Sequence, residues 1–374
     1  MTVVYLVHDL ADPAVARRLR ILSVAGIVPV LLGFRRGAET VQQVGGVAAI
    51  DLGRTTDSQL LRRIGSVIRA AGKLGRYRAR FAEPRLILAR NLEMLVLAYI
   101  VRARFAPSAG IVFECLDIHA SLVSSGLKGR LMRAIERGLL RYCVGLVVSS
   151  PGFVTHHFAK LGVPLPPIRL IENKVLASEF RPTFKAERPL GPPWRIGWFG
   201  IIRCRRSLAL LAELVRRSAG QIEVDIRGRP VRHLLPDFDT VIAATPGLRF
   251  YGAYDRNKDL AAIYSAVHFT WAMDFYEAGA NSDWLLPNRL YEGLTQAAIP
   301  LALHGTQTGI WLTDRAITTV LSEPLEQSVA SFFEVLDRLS YGQLRSAVRA
   351  VDHLDSVCSD LESQAIGEWL LDPN

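Results

Sequence analysis

The sequence of 374 residues has few cysteines and no long apolar segment. Its four cysteines lie far apart, with no C-x-x-C pair and no Cys/His spacing typical of zinc, which argues against a disulfide scaffold and a structural metal site and favours a reducing compartment. The apolar runs at 27–34 and 94–101 are eight residues each, against the roughly 18–20 needed to span a bilayer. The start, MTVVYLVHDL, has no basic lead and too short an apolar stretch for a signal peptide. We therefore expect a cytoplasmic protein.

Two nucleotide-binding motifs are also missing. Neither half of the chain carries G-x-G-x-x-G after its first predicted strand; the nearest approach, Gly197-Trp-Phe-Gly200, has the wrong spacing. There is no G-x-x-x-x-G-K-[ST] either. These absences argue against a dinucleotide-dependent dehydrogenase and a P-loop nucleotidase.

The composition is that of a folded, basic protein. Half of the residues are hydrophobic and 21% are charged, which excludes a disordered or fibrous chain. Lys and Arg outnumber Asp and Glu by 45 to 35, and the resulting charge of +10 favours an anionic partner such as a nucleic acid, a sugar nucleotide or an acidic lipid. The length predicts two domains.

Short β-branched runs alternate with amphipathic helical stretches over residues 1–180, and the same rhythm restarts over 194–355. Buried strands separated by helices predict parallel sheets covered on both faces. The stretch RPTFKAERPLGPP at 181–193 carries four prolines and neither periodicity, which predicts a linker. The fold class is therefore α/β, with two doubly wound, Rossmann-like domains facing across a cleft.

Polar residues follow the predicted strands of the first half. Because ligands bind beyond the carboxyl ends of parallel strands, these positions are candidates for contacts with a substrate. They are His8, Asp9, Asp12, Arg90, Asn91, Asp117 and His119. Any one of them, taken alone, is equally well explained as a turn residue or a helix cap.

Two segments of the second half carry further candidates. The loop Gly200-Ile-Ile-Arg-Cys-Arg-Arg-Ser207 enters a helix, and its glycine, its helix start and the guanidinium groups of Arg203 and Arg206 suit a diphosphate. In Pro287-Asn-Arg-Leu-Tyr-Glu-Gly293, helical spacing places Asn288, Glu292 and Thr295 on one face. A carboxylate there suits the two neighbouring hydroxyls of a ribose, and the alternative is an exposed glutamate near a helix end.

Together these features resemble GT-B glycosyltransferases, above all bacterial exopolysaccharide enzymes of the succinoglycan and xanthan type. The matching elements are the two-domain layout, the arginine-bearing loop, Phe250-Tyr-Gly252 and Pro287-Asn-Arg-Leu-Tyr-Glu-Gly293. The likeness to the succinoglycan and xanthan type is carried by Asp9-Leu-x-Asp12-Pro13, Ala89-Arg-Asn-Leu92 and Glu114-Cys-Leu-Asp-Ile-His119. Such enzymes move a sugar from a nucleotide diphosphate donor to an acceptor.

The resemblance implies roles for individual residues. Glu292 would bind the donor ribose, Arg203 and Arg206 would hold the diphosphate, and Gly252 would let the loop near the nucleobase pass closely. Gly200 and Asn288 belong to the same donor site. Residues 1–180 would bind the acceptor, and C-terminal helices at about 356–374 would pack back on them. His8, Asp9, Arg90 and Asn91 would then lie on the acceptor side.

One departure from the family pattern concerns the stereochemistry. Retaining members of family 4 carry a glutamate eight positions before the ribose-binding one, and in this chain that position is Trp284. The sequence therefore favours an inverting displacement, which needs a general base in the acceptor domain. Asp117 is the first choice, with Asp12 and His119 as rivals. No Asp-x-Asp motif is present, so we expect neither a metal nor a cofactor.

Two basic stretches suggest a membrane partner. Residues 54–80 and 127–141 combine arginines with apolar residues at helical spacing, which is typical of helices that lie on anionic lipid. The plain alternative is a core-facing helix with a solvated cationic face. The expected acceptor is a lipid-linked oligosaccharide, and the expected location is the inner face of the plasma membrane.

Three other functions are alternatives to this interpretation. A sugar-nucleotide epimerase shares the fold but needs no acceptor, and a retaining family 4-like transferase shares the donor chemistry. A nucleic-acid-binding protein is suggested by charge alone, without any recognition motif. A UDP-sugar is the expected donor.

Overall fold

The computed structural model describes residues 2–55, 60–81, 84–181 and 190–373. The chain divides into two compact units, Met1–Glu172 with Ser359–Asn374, and Asn173–Cys358. We call them the N-terminal unit and the C-terminal unit. Most of the predicted linker at 181–193 lies outside the described residues.

The elements of the first 172 residues alternate between strands and helices. They are β1 Val3–Val7, α1 Pro13–Val24, β2 Val30–Arg35, β3 Gln43–Val44, β4 Val47–Arg54, α2 Leu60–Lys73, β5 Leu86–Arg90, α3 Leu92–Phe105, β6 Gly110–Cys115, α4 Ala120–Val123, α5 Leu127–Leu140, β7 Gly145–Val148, α6 Pro151–His156 and β8 Ile168–Leu170, with 3-10 helices at Leu74–Phe81 and Phe158–Leu161.

The remaining elements are β9 Val175–Leu176, β10 Trp194–Ile202, α7 Arg205–Arg217, β11 Ile222–Pro230, α8 Phe238–Ala243, β12 Leu248–Phe250, α9 Arg256–Ser265, β13 Phe269–Trp271, α10 Asn281–Trp284, α11 Asn288–Thr295, β14 Ile299–Leu303, α12 Gln307–Thr313, β15 Val320–Leu321, α13 Leu325–Glu334, α14 Arg338–Ala350, α15 His353–Ser356, β16 Val357–Cys358 and α16 Asp360–Leu371.

The N-terminal unit is built on an eight-stranded sheet of order β3-β4-β2-β1-β5-β6-β7-β8. Its pairs are parallel except β3 with β4, which form a hairpin. The hairpin turns at Gly45 and Gly46, both at positive φ, which glycine adopts without strain. All five residues of β1 are buried, as expected for a central strand covered on both faces.

The last helix, α16, belongs to the N-terminal unit and packs against α1. Gly367 allows this close approach, because a Cβ at that position would overlap with the Cβ of Ala25. Trp369 of the same helix lies against Gly145, the first residue of β7. A helix from the end of the chain thus completes the unit formed by its beginning.

The C-terminal unit has a parallel six-stranded sheet of order β12-β11-β10-β13-β14-β15. Its apolar core includes Trp198 of β10, Trp271 of β13 and Tyr291 of α11. A second, smaller cluster forms around Phe199 and Tyr264. The prediction of an α/β chain with parallel, Rossmann-like sheets is confirmed.

In each of the two large sheets the strand order reverses beside an inner strand that is the first of that sheet in chain order, namely β1 in the N-terminal unit and β10 in the C-terminal unit. The reversal lies between β1 and β5 in the N-terminal unit and between β10 and β13 in the C-terminal unit. At such a point the flanking loops leave on opposite sides, and the crevice between them is where open α/β sheets bind ligands. The residues that follow these four strands are therefore the first places to look for a site.

No helix among the described residues has both the length and the apolarity needed to cross a bilayer.

Candidate functional site

Three glycines lie at the carboxyl ends of three adjacent strands of the C-terminal unit. Gly200 of β10 is in register with Gly228 of β11, and the Gly228 amide donates to the carbonyl of Gly252, which follows β12, at 2.8 Å. All three have positive φ, and a Cβ on Gly228 would overlap with the Gly200 carbonyl. The result is a strip of bare backbone at the edge of the sheet, where a ligand is able to approach closely. Gly200 and Gly252, both predicted from the sequence, are brought together by Gly228.

Arg203 lies at the reversal point of this sheet. It follows β10, and its Nη2 donates to Oδ2 of Asp274, which follows β13, at 3.4 Å. Its guanidinium also stacks over the ring of Tyr276 at 4.5 Å. Arg203 therefore occupies the crevice position that the strand order defines, partly exposed and held by one carboxylate.

Arg206 stands in the first turn of α7. Its Nη2 donates to Oε2 of Glu323 at 2.8 Å, and its guanidinium lies 4.6 Å from the centre of the Phe275 ring. Exposed ion pairs of this kind contribute at most about 1 kcal/mol, so release from Glu323 costs little. Cys204 caps the helix by accepting from the Ser207 amide. The loop thus presents two cations at a helix start, which is favourable for an anion.

Glu292 is buried in α11, with 4% of its side chain exposed. Its Oε1 accepts from Nε of Arg256 at 2.7 Å, and its Oε2 accepts from the hydroxyl of Tyr264 at 2.9 Å. Nη1 of Arg256 donates to Oε2 of Glu179 at 2.6 Å. Burial, and then the charge of Glu292, raise the pKa of Tyr264 well above its ordinary value, so this hydroxyl stays protonated and donates. The alternative of an exposed glutamate at a helix end is excluded.

The neighbours of Glu292 on α11 differ in exposure. Thr295 is buried and its hydroxyl donates to the Glu292 carbonyl at 2.8 Å, whereas Asn288, the first residue of the helix, is less buried. Helical spacing thus brings Glu292 and Thr295 inward but leaves Asn288 at the rim. Trp284 ends the short helix α10, and its indole stands at the position where the retaining pattern has a carboxylate.

In the N-terminal unit, Arg90 is part of a buried charge cluster. Its Nε donates to Oε2 of Glu114 at 2.8 Å, and Nε of Arg18 donates to the other oxygen at 2.6 Å. The hydroxyl of Tyr5 also donates to Glu114 at 2.7 Å. Arg90 is further bonded to Asp12 and to the Ala14 carbonyl. With 1% of its side chain exposed, Arg90 acts as a structural residue that joins β5, β6 and α1.

The charges of this cluster stabilise the ionised forms of both Glu114 and Arg90. Burial disfavours the charged form of Glu114, but the Arg90 and Arg18 guanidinium groups outweigh it and lower the pKa of Glu114 from 4.5 to about 2. The same carboxylate raises the pKa of Arg90 despite complete burial. Both groups are therefore charged throughout the physiological range.

His8 and Asn91 meet at the reversal point of the N-terminal sheet. Nδ2 of Asn91 lies 3.2 Å from Nδ1 of His8, and Asn91 adopts a positive φ of 72° before α3. Burial lowers the pKa of His8, so the ring is neutral at pH 7. With Arg36 and Glu93, His8 lines an open recess. His8 and Asn91 were both singled out from the sequence, and the structure brings their side chains together.

Asp9 lies beside that recess, and its carboxylate bonds to neighbouring residues of the chain. Its Oδ1 accepts from the Ala11 amide at 3.0 Å, and its Oδ2 lies 3.3 Å from Nε of Arg36. The carboxylate is largely buried. Asp9 therefore orders the turn after β1 and holds Arg36 at the edge of the recess.

The three candidate bases are placed differently. Asp12 caps α1 through the Ala14 amide and pairs with Arg90. His119 caps α4, because its Nδ1 accepts from the Ser121 amide at 3.1 Å. Asp117 follows β6 with an exposed side chain, and the cap of the next helix is His119. Asp12 and His119 therefore have structural roles as helix caps. Of the two carboxylates among the candidate bases, Asp117 is the exposed one.

Among the described residues, no group of three or more His, Cys, Asp or Glu side chains is arranged to hold a metal ion. Four residues of the site were not predicted from the sequence: Glu179, Arg256, Tyr264 and Asp274. Arg256 and Tyr264 are eight residues apart on one helix, a spacing that places both on the same face. This spacing could have indicated from the sequence that the two side chains lie together. The partners Glu179 and Asp274 depend on tertiary contacts and carry no local signature.

Comparison with known proteins places this arrangement in a family. The chain is 46% identical over 337 residues to the succinoglycan biosynthesis protein ExoL of Rhizobium meliloti (strain 1021), an alignment that covers 88% of this chain and 83% of that protein. No protein-family model matches the sequence.

Solved structures share the fold at low sequence identity. Sucrose-phosphate synthase from Thermosynechococcus elongatus matches with a TM-score of 0.75 and 13% identity, covering 98% of each chain. Anabaena HepE in complex with UDP and glucose matches with a TM-score of 0.73 and 12% identity, covering all of both chains. WaaG, a glycosyltransferase involved in lipopolysaccharide biosynthesis, matches with a TM-score of 0.57 and 11% identity over 100% of this chain and 98% of that one.

The fold, together with the similarity to ExoL, identifies a glycosyltransferase of the GT-B class. Within that class, the chain belongs to the ExoL family of exopolysaccharide glycosyltransferases. The resemblance found in the sequence is confirmed.

Proposed function

We propose that the enzyme transfers a sugar from a UDP-sugar to a lipid-linked oligosaccharide in the biosynthesis of a succinoglycan-type exopolysaccharide, with inversion and without a metal. The observation that carries the donor half is Glu292, a buried carboxylate that Arg256 and Tyr264 hold by hydrogen bonds. The succinoglycan context rests on the relative ExoL. UDP as the nucleotide is supported by HepE, whose structure holds UDP and glucose on the same fold.

In this proposal the diphosphate is held by Arg203 and Arg206. Transfer leaves negative charge on the departing diphosphate, and fixed cations stabilise that charge in the transition state. Arg203 is already placed by Asp274, whereas Arg206 exchanges the exposed carboxylate of Glu323 for a phosphate oxygen. This supply of positive charge is the reason to propose that no metal is needed.

Asp117 is the proposed general base. A base in an inverting transfer removes the proton of the acceptor hydroxyl as the new bond forms. Asp117 has an exposed carboxylate at the carboxyl end of β6. Trp284, which replaces a retaining-type glutamate, is the second reason to propose inversion.

A donor screen tests this function. The purified enzyme is incubated with UDP-, GDP- and dTDP-sugars and a lipid-linked acceptor, and the anomeric configuration of the product is read by NMR. We expect a UDP-sugar to react with inversion, and replacement of Asp117 by Asn to lower kcat by about 10²–10⁴-fold. A product with the configuration of the donor would remove both the inverting assignment and Asp117. Turnover of the donor without acceptor would instead support the epimerase.

We further propose that α5 attaches the enzyme to an anionic membrane. Leu127 and Leu131, one turn apart, are 83% and 62% exposed, and the exposed Lys128, Arg130 and Arg137 accompany them. Apolar side chains flanked by cations are the features of an interfacial helix. In α2, by contrast, Val67, Ala70 and Ala71 are buried.

Vesicle sedimentation tests the attachment. Vesicles of phosphatidylcholine that contain roughly one third phosphatidylglycerol present an anionic surface. They should bind the enzyme, and added salt should weaken this binding. Replacing Leu127 and Leu131 together by Glu should weaken binding about 150-fold, because two leucines at roughly 1.5 kcal/mol each contribute about 3 kcal/mol. Leu361→Glu, at a leucine 77% exposed on α16, is the control. Equal loss in both variants would refute a specific role of α5.

A further inference from the structure

The carboxylate of Glu292 is prepared for two more hydrogen bonds. A carboxylate offers about four lone-pair positions on its two oxygens. Arg256 occupies one position on Oε1, and Tyr264 occupies one on Oε2. Counting the bonds made by the part of the chain that the structure describes, each oxygen keeps one further acceptor position. Two acceptors on adjacent oxygens match two adjacent hydroxyls, which is the pattern of a ribose 2′,3′-diol.

Arg256 joins two carboxylates through different nitrogens. Its Nε binds Glu292 and its Nη1 binds Glu179, with 21% of the arginine side chain exposed. The rigid, planar guanidinium fixes the angle between its donors, so an anchored Nη1 also fixes the direction of Nε. Glu179, on the segment that follows β9, thus sets the orientation of the Glu292 carboxylate through Arg256.

The remaining nitrogen of Arg256 is a second observation that points to a ligand. Nη2 is buried and has no hydrogen-bond partner among the described residues. A buried donor without an acceptor is unfavourable. An oxygen of a nucleoside bound at Glu292 would supply the missing acceptor.

We propose that Arg256 is the positioning residue that makes Glu292 selective for a ribose diol, with Glu179 as its anchor. This inference rests on the proposed role of Glu292 in donor binding. Without Arg256, the Glu292 carboxylate would lose the hydrogen bond that fixes Oε1 and would be held by Tyr264 alone. Its two oxygens would then no longer be held in one orientation toward a diol, so the preference for the diol would fall.

The test compares a nucleotide with its dideoxy analogue. Dissociation constants of UDP and 2′,3′-dideoxy-UDP are measured by calorimetry at pH 7.5 for the wild type and for Arg256→Gln. Two hydrogen bonds to a carboxylate correspond to a preference for UDP of about 100-fold in the wild type. We expect this ratio to fall below about 10-fold in Arg256→Gln. Arg256→Lys, which keeps the charge but loses the fork, should give an intermediate ratio.

A control and a second variant complete the design. Arg216→Gln removes an exposed arginine that pairs with Glu213 on α7, and it should keep the wild-type ratio. Glu179→Gln leaves Arg256 and Glu292 in place but weakens the anchor. It should lower the ratio as well, and it serves where Arg256→Gln does not fold.

The outcomes separate the two proposals. A wild type that binds both nucleotides equally removes the ribose role of Glu292, and with it the proposed donor site. A wild type that prefers UDP, together with Arg256 and Glu179 variants that keep the same preference, leaves Glu292 in place and overturns the role of Arg256. Variants that bind both nucleotides more weakly but keep the wild-type ratio of dissociation constants also overturn the role of Arg256, because loss of a merely structural arginine would have that effect.

Discussion

Replacing Glu114 by Gln should destabilise the enzyme at neutral pH, and the deficit should shrink in acid. Gln is nearly isosteric but removes the counter-charge that the buried Arg90 and Arg18 share, and it leaves Arg90 with Asp12 alone, which costs about 3–5 kcal/mol. In the wild type, Glu114 has a pKa of about 2 in the folded chain against 4.5 as its ordinary value. A lowered pKa means stabilisation that is present above pH 4.5 and is lost as the pH falls toward 2. The shift corresponds to about 3 kcal/mol in total, of which about 2 kcal/mol is gone at pH 3.

Urea denaturation of the full-length wild type and of Glu114→Gln at pH 7, 5 and 3 measures how the difference in their free energies of unfolding depends on pH. The free energy of unfolding of the wild type, minus that of Glu114→Gln, should be largest at pH 7 and smaller by about 2 kcal/mol at pH 3. Other carboxylates titrate in both proteins and cancel in the difference. Glu213→Gln, at a half-exposed carboxylate paired with Arg216, should change stability by less than about 1 kcal/mol at every pH.

A difference between wild type and variant that stays constant from pH 7 to pH 3 would refute the reasoning. It would mean that Glu114 does not owe its charge to the two arginines. A variant as stable as the wild type at pH 7 would likewise show that the buried guanidinium groups do not need this counter-charge.

Three further changes are informative. Glu292→Ala should weaken nucleotide binding about 100-fold in calorimetry, because two charged hydrogen bonds are lost; unchanged affinity would contradict the ribose role. Gly228→Ala should lower stability by more than about 1 kcal/mol and reduce donor affinity, because its φ of 133° and the Gly200 carbonyl leave no room for a Cβ; an unaffected melting temperature would contradict this. Gly367→Leu should detach α16 from Ala25 and increase proteolysis near the C-terminus, whereas Leu361→Ala on the exposed side of α16 should not.

Much of the fold was predictable because the strands are buried on both faces. The runs at 2–7 and 110–114 are rich in apolar, β-branched residues, and apolar β-branched residues alternate with charged ones at 222–227. Strands are found at Val3–Val7, Gly110–Cys115 and Ile222–Pro230. The hairpin of β3 and β4 was missed, since its half-buried residues do not form an apolar run. The Gly45-Gly46 pair was the available signal there.

The secondary-structure setting of some candidate residues was predictable from the local sequence, and their roles in binding stay predictions. Gly200 lies near the end of β10, Gly252 follows β12, and Glu292 lies on the helix predicted after Pro287. The partners of these residues were not predictable. Arg203 pairs with Asp274, and Arg256 binds Glu179, across separations of more than 70 residues that only the folded sheet closes. For the same reason Arg90, predicted as an acceptor contact, is found as the buried partner of Glu114.

The membership of α16 in the N-terminal unit affects how the enzyme is made. At about 5–20 residues per second, a ribosome needs roughly 10–40 s to synthesise residues 173–358 after the first 172 have emerged. Throughout that interval the surface of α1 around Ala25 lacks the helix that will cover it. The part of the protein that is translated first is therefore the last to be completed, and loss of α16 would remove an element of the N-terminal unit while the C-terminal unit keeps all of its own.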